Sequence, residues 1–105
     1  MQLTLEHMPS TLPLPFSAAV RAGSVLYLSG QLGIDPGSNK LVEGGIAAET
    51  RQALENIEAV LFNAGSSKEK LVRCEVFLSD FSDFSAMNDA YKAFFGSGPY
   101  PARTA

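Results

Sequence analysis

In the segment PYPARTA, Arg103 stands two residues after Pro101. A guanidinium is planar and always charged, and its fork of N–H donors meets a carboxylate with two parallel charge-assisted hydrogen bonds. Pro101 presets its own φ and narrows how far the segment can wander. An arginine so placed is either a solvated surface side chain or a grip for a small carboxylate, and residue type alone leaves both open. Other chemistry is sparse. His7 is the single histidine and Cys74 the single cysteine, so this sequence offers neither a multi-histidine metal site nor an internal disulfide or thiolate cluster. His7 precedes the first strongly patterned segment, where an exposed position near a frayed end is expected. There is no P-loop, GxGxxG, nucleophile elbow or HExxH.

The elements that must position Arg103 are read from periodicity. FSAAVRAGSVLYLSGQLGI, residues 16–34, holds two β-like runs around Ala22-Gly23 and predicts a hairpin, since glycine tolerates positive φ at a tight turn. Leu26, Leu28, Gly30 and Leu32 share its core face, and Val25, Tyr27, Ser29 and Gln31 the other. DPGSNK, residues 35–40, reads as a loop. From Ile46 the period changes: Ile46, Thr50, Ala53, Leu54, Ile57, Val60, Leu61 and Ala64 form one helical stripe, closed by Gly65. KLVRCEVFLSD alternates as a strand, with Val72, Cys74, Val76 and Leu78 facing the core and Leu71, Arg73, Glu75 and Phe77 facing away. A second helix follows, with Ser82 or Asp83 as N-cap, with Phe84, Met87, Tyr91, Phe94 and Phe95 buried, and with Gly96 as its stop. The remaining GSGPYPARTA reads as a loop.

This order predicts an α+β domain, a mixed β-sheet with two helices packed on one face. The opposite face carries Leu71, Phe77, Val25 and Tyr27, and its burial calls for partner subunits, so a homo-oligomer is expected. The chain has 105 residues, which suits a single domain. Net charge is −3, and the eight Lys and Arg are scattered, which disfavours nucleic acid as a partner. The first twenty residues lack the positive region of a secretory signal, and no uncharged stretch is long enough to span a bilayer. A cytoplasmic location with no membrane partner follows as the expectation.

Five ordered segments then become informative together: PFSAAV, LYLSGQLG, QALENIEAVLFNAG, VFLSDFSDFSAMNDAYKAFF and PYPARTA. From about Pro15 onward they closely resemble the Rid (YjgF-type) reactive-intermediate deaminase family. The resemblance implies a chorismate-mutase-like fold assembled as a homotrimer with clefts at the subunit interfaces. It implies hydrolysis of 2-imino acids and their enamine tautomers, such as 2-aminoacrylate, to 2-keto acids and ammonia, with no cofactor. Arg103 matches the family's carboxylate-binding arginine. Ser29 matches a cleft-lining position, although it is equally an ordinary polar strand residue. Asn88 matches a cleft asparagine, although it equally suits a bond to loop backbone. Phe16 stands where many members carry tyrosine, so a ring remains to wall the pocket with Tyr91 while a hydroxyl is lost.

Two departures accompany the match. Thr104-Ala105 follow Arg103, so the cysteine many members place second after it is replaced, and Cys74 reads instead as a packing residue. The family's further strand, with a glutamate that helps place the attacking water, lies past Ala105, so the 105 residues are read as one Rid-like domain lacking that strand. Two further readings stand beside the deaminase: a non-catalytic module binding or sensing a small carboxylate such as a 2-keto acid, and, less favoured, an endoribonuclease or translation inhibitor, which the charge and the lack of a His pair oppose.

Overall fold

A computed structural model of the chain describes residues 4–105. They form two compact units, one ending at Gly30 and the other spanning Gln31–Ala105. The N-terminal unit is an antiparallel sheet of β1 (Leu5–Pro9), β2 (Ser17–Ala22) and β3 (Val25–Leu28), in that order. The expected hairpin is present, with Ala22 opposite Val25 and Gly23 at φ 61°. β1 departs from the sequence reading. It places His7 opposite Val20, with a register shift at Met8/Pro9. LEHMP shows no period-two alternation, so its pairing is invisible without the strand it pairs with.

The C-terminal unit opens with β4 (Ile34–Asp35) paired antiparallel to β5 (Lys40–Leu41). The predicted DPGSNK loop is therefore the turn of a minimal hairpin, held by the Asp35 carboxylate, which accepts from the Gly37 and Ser38 N–H groups at 3.3 Å each. Helix α1 (Gly45–Asn63) follows the predicted stripe within a residue. It ends with Ser66 N–H donating to Leu61 O at 2.7 Å and Gly65 N–H to Phe62 O at 3.0 Å, the paired bonds of a Schellman motif. Next come β6 (Arg73–Glu75), helix α2 (Phe84–Phe95) and β7 (Ala102–Thr104), which runs parallel to β6.

Of the two predicted caps, Asp83 stands at the N-cap position of α2, but its side chain makes no capping hydrogen bond. A 3₁₀ turn at Phe81–Asp83 leads into the helix, so the first unpaired N–H groups come earlier, and Asp80 accepts from Ser82 N–H at 2.9 Å. β7 was expected as loop. Three residues are too few to display a period, and Pro101 sits just outside the ladder, where its missing donor costs nothing.

Leu54 of α1 and Met87 and Tyr91 of α2 are the buried centre of this unit, joined by Ile46, Ile57, Phe84, Phe94 and Phe95 and, from the β6 segment, by Cys74, Val76 and Leu78. Both helices thus cover one side of that segment, giving the α+β arrangement expected. Val72 breaks the alternation. It precedes the ladder, gives only its carbonyl to Ala102 N–H at 2.9 Å, and is 80% exposed, while Leu71 is half-buried. Phe77 of this unit is exposed, and so, in the N-terminal unit, are Tyr27 and Val25.

Asn56 and Gly33 fix the segment leading into β4 against α1. Asn56 Nδ2 donates to Leu32 O at 3.1 Å and Ile34 O at 2.8 Å, and its Oδ1 accepts from Gln52 Nε2 at 2.9 Å. Gly33 is buried so tightly that a Cβ there would lie 2.6 Å from Glu49 Cα and 2.7 Å from Glu49 O. Among the described residues no helix is long and apolar enough to cross a membrane.

Candidate active site

Phe84, Met87 and Tyr91 follow one another at steps of three and four and therefore share one face of α2. β6 and β7 present a matching row, because their parallel register sets Arg103 beside Cys74. Directly paired residues of neighbouring strands project to the same side of a ladder. The result places the Arg103 guanidinium carbon 4.9 Å from the Tyr91 ring centroid and 5.7 Å from that of Phe84. Its Nη1 lies 3.9 Å from Met87 Sδ.

The charge of Arg103 is half-buried and, among the described residues, has no carboxylate partner; the ion pairs there are Arg21–Glu6 and Arg73–Glu75. Aromatic rings attract a cation through their faces, and a thioether is a weak acceptor. Most of the guanidinium donors are therefore unspent.

Tyr91 is 4% exposed, and its hydroxyl has no hydrogen-bond partner among the described residues. Burial, and secondarily the Cys74 thiol beside it, push the phenol well above its usual range, while the Arg103 charge pulls the other way. The ring is held as a neutral phenol at any physiological pH.

The other residues singled out in the sequence are distributed as follows. Asn88 is half-buried on α2, next to Met87 and three residues before Tyr91. Phe16 and Ser29 belong to the N-terminal unit. Phe16 is 42% exposed just ahead of β2. Ser29 follows β3 and donates its hydroxyl hydrogen to Ser17 O at 2.6 Å, so its oxygen keeps acceptor capacity but its proton is committed. The structure thus unites Arg103 with Tyr91. Sequence reading named Phe84 and Met87 only as packing residues and missed their contact with Arg103, because the parallel β6–β7 pairing that delivers the guanidinium was read as loop.

Two grooves of about 360 and 610 Å³ run along the helices. The larger uses Ala86, Asp89, Ala90 and Ala93 of α2, not the face that meets Arg103. Among the described residues no three His, Cys, Asp or Glu side chains gather as a metal ligand set.

The family model described as Endoribonuclease L-PSP matches residues 8–105. The chain belongs to the Endoribonuclease L-PSP family. One L-PSP relative is a 2-iminobutanoate/2-iminopropanoate deaminase of Capra hircus, 48% identical over 91 residues, which are 87% of this chain and 66% of the relative. Among solved structures, RidA from an Antarctic Psychrobacter is 40% identical with a TM-score of 0.83, covering 94% of this chain and 78% of that one. TdcF of E. coli, solved with bound serine, is 30% identical with a TM-score of 0.83, covering 93% and 77%. The Rid resemblance seen in the residues and the L-PSP match are one assignment. The chain spans about two thirds of the length of the curated mammalian relatives it matches.

Proposed function

We propose that this chain hydrolyses reactive 2-imino acids and their enamine tautomers to 2-keto acids and ammonia, with Arg103 holding the substrate carboxylate. The observation that carries the reading is a half-buried guanidinium resting on Tyr91 and Phe84 with, among the described residues, no carboxylate engaging its donors. Relatives named 2-iminobutanoate/2-iminopropanoate deaminase support it.

In this reading the enamine first takes a proton at C3 and gives one up from nitrogen to become the imine. The carboxylate, clamped by Arg103, fixes C2 for attack, and fixing a reacting centre lowers the entropic part of the barrier. Water adds to C2, the C=N π pair moves to nitrogen, and the carbinolamine expels ammonia as its hydroxyl loses a proton. Asn88 and Tyr91 belong to the same proposed site, Ser29 and Phe16 are proposed as further substrate contacts, and the chain is read as a cytoplasmic homotrimer with clefts at its subunit interfaces.

The test generates a 2-imino acid with an amino-acid oxidase and traps it with semicarbazide. The protein is expected to suppress semicarbazone formation, and Arg103→Ala is expected to abolish suppression. No suppression by the parent chain refutes the deaminase reading. A module that only binds small carboxylates is the second reading, favoured by the missing hydroxyl at Phe16; it predicts thermal stabilisation by a 2-keto acid without turnover.

A further inference from the structure

We infer that Tyr91 is a positioning residue whose ring face, with Phe84, holds the Arg103 guanidinium in place while leaving most of its donors for the ligand. The inference rests on the reading of Arg103 as the carboxylate grip, and it changes the part assigned to Tyr91 from lining the pocket to acting through the arginine.

The geometry separates two ways of restraining an arginine. A protein carboxylate meets the fork edge-on, where the N–H groups point, and occupies the donors that a ligand carboxylate would need. An aromatic ring meets the guanidinium on its face, orthogonal to those donors. Among the described residues Arg103 has rings rather than a carboxylate beside it: its Cζ lies over Tyr91 at 4.9 Å and over Phe84 at 5.7 Å from the centroids, and its Nη1 donates to Met87 Sδ, a weak acceptor, at 3.9 Å. A free arginine loses substantial rotamer freedom when a ligand fixes it. Here that loss is borne in folding, because α2 and the β6–β7 ladder already place both partners. The phenol is neutral at physiological pH, as an ordinary tyrosine is, and so leaves the Arg103 charge to the ligand; burial raises its pKa further.

The test measures binding of 2-oxobutanoate, a small 2-keto carboxylate, by titration calorimetry, together with the Arg103 Nε–Hε resonance by NMR. Tyr91→Phe keeps the ring and is expected to bind within about twofold of the parent. Tyr91→Leu removes it and is expected to weaken binding roughly 2- to 30-fold, raising KM with kcat little changed, and to lose the upfield ring-current shift of Nε–Hε. If Tyr91→Leu does not fold, Phe84→Leu is measured in its place, with a smaller loss expected from the longer distance. Unchanged binding in the ring-less variants, or a Tyr91→Phe loss as large as that of Tyr91→Leu, overturns the positioning role. Arg103→Ala binding as well as the parent overturns instead the reading of Arg103 beneath it.

Discussion

Gly33→Ala is the substitution whose cost follows most directly from the coordinates. The added methyl would stand 2.6 Å from Glu49 Cα, 2.7 Å from Glu49 O and 2.9 Å from Glu49 Cβ. Ordinary carbon contacts lie near 3.5–4.0 Å, so about 1 Å must be found. Two of the three obstructing atoms are backbone of α1, which cannot rotate away. Overpacking costs about 1–3 kcal/mol, and a backbone obstruction belongs in the upper half of that range. The methyl also restricts the unfolded chain, returning about 0.4–1 kcal/mol. The net is a loss of roughly 1–2.5 kcal/mol, or a fall in Tm of about 5–20 °C for a domain of this size. Circular-dichroism melts and urea titrations read it, the urea midpoint falling with an unchanged m-value. Gly30→Ala is the control, because a Cβ there meets nothing within 4 Å. A Gly33→Ala protein that melts at or above the parent temperature refutes the packing argument.

Asn56→Asp keeps the shape but turns the donor that serves Leu32 O and Ile34 O into a charge facing two carbonyls. A loss of about 2–3 kcal/mol at pH 7 is expected, larger than for Asn56→Ala and partly recovered in denaturant titrations below about pH 4, where the carboxylate takes up a proton. Lys68 Nζ donates to Phe94 O at 2.8 Å and lies 4.5 Å over the Phe94 ring, so Lys68→Met should cost about 1 kcal/mol through the last turn of α2, read as a lower urea midpoint. The Ser82 backbone N–H holds the Asp80 carboxyl below its ordinary range. A depressed folded-state pKa contributes stability above the ordinary value near 4 and loses it as pH falls through the folded value, so Asp80→Asn should flatten the acid limb of the stability curve below about pH 4 and leave its shape at neutral pH unchanged.

What the sequence made legible was whatever is encoded locally. α1 shows its stripe over five turns, and its Schellman end is announced by Gly65; the β2–β3 hairpin is announced by Ala22-Gly23. The role of Arg103 could be suspected from side-chain chemistry and from resemblance. Its surroundings could not, since Cys74 and Arg103 become neighbours only through a three-residue parallel ladder, and such a ladder has no period long enough to read. Asn56 was hidden for a related reason: it lies off the apolar stripe of α1, and its two acceptors are backbone carbonyls, which every residue possesses. The one available signal was an amide side chain in mid-helix, where asparagine is a poor helix former unless it bonds elsewhere.

The β6–β7 ladder also decides how the site can fail. Side chains in a strand alternate, so sliding β7 by one residue would bring Ala102 or Thr104 beside Cys74 and turn the guanidinium to the far side of the ladder. No intermediate register keeps part of the grip. A slipped register would therefore remove the proposed grip of that molecule altogether, whereas loss of the Tyr91 ring would weaken it in every molecule. Because the two strands are remote in sequence, their pairing carries a loop-closure cost that the helices do not. In a refolding time course, carboxylate binding is thus expected to return after the helical signal.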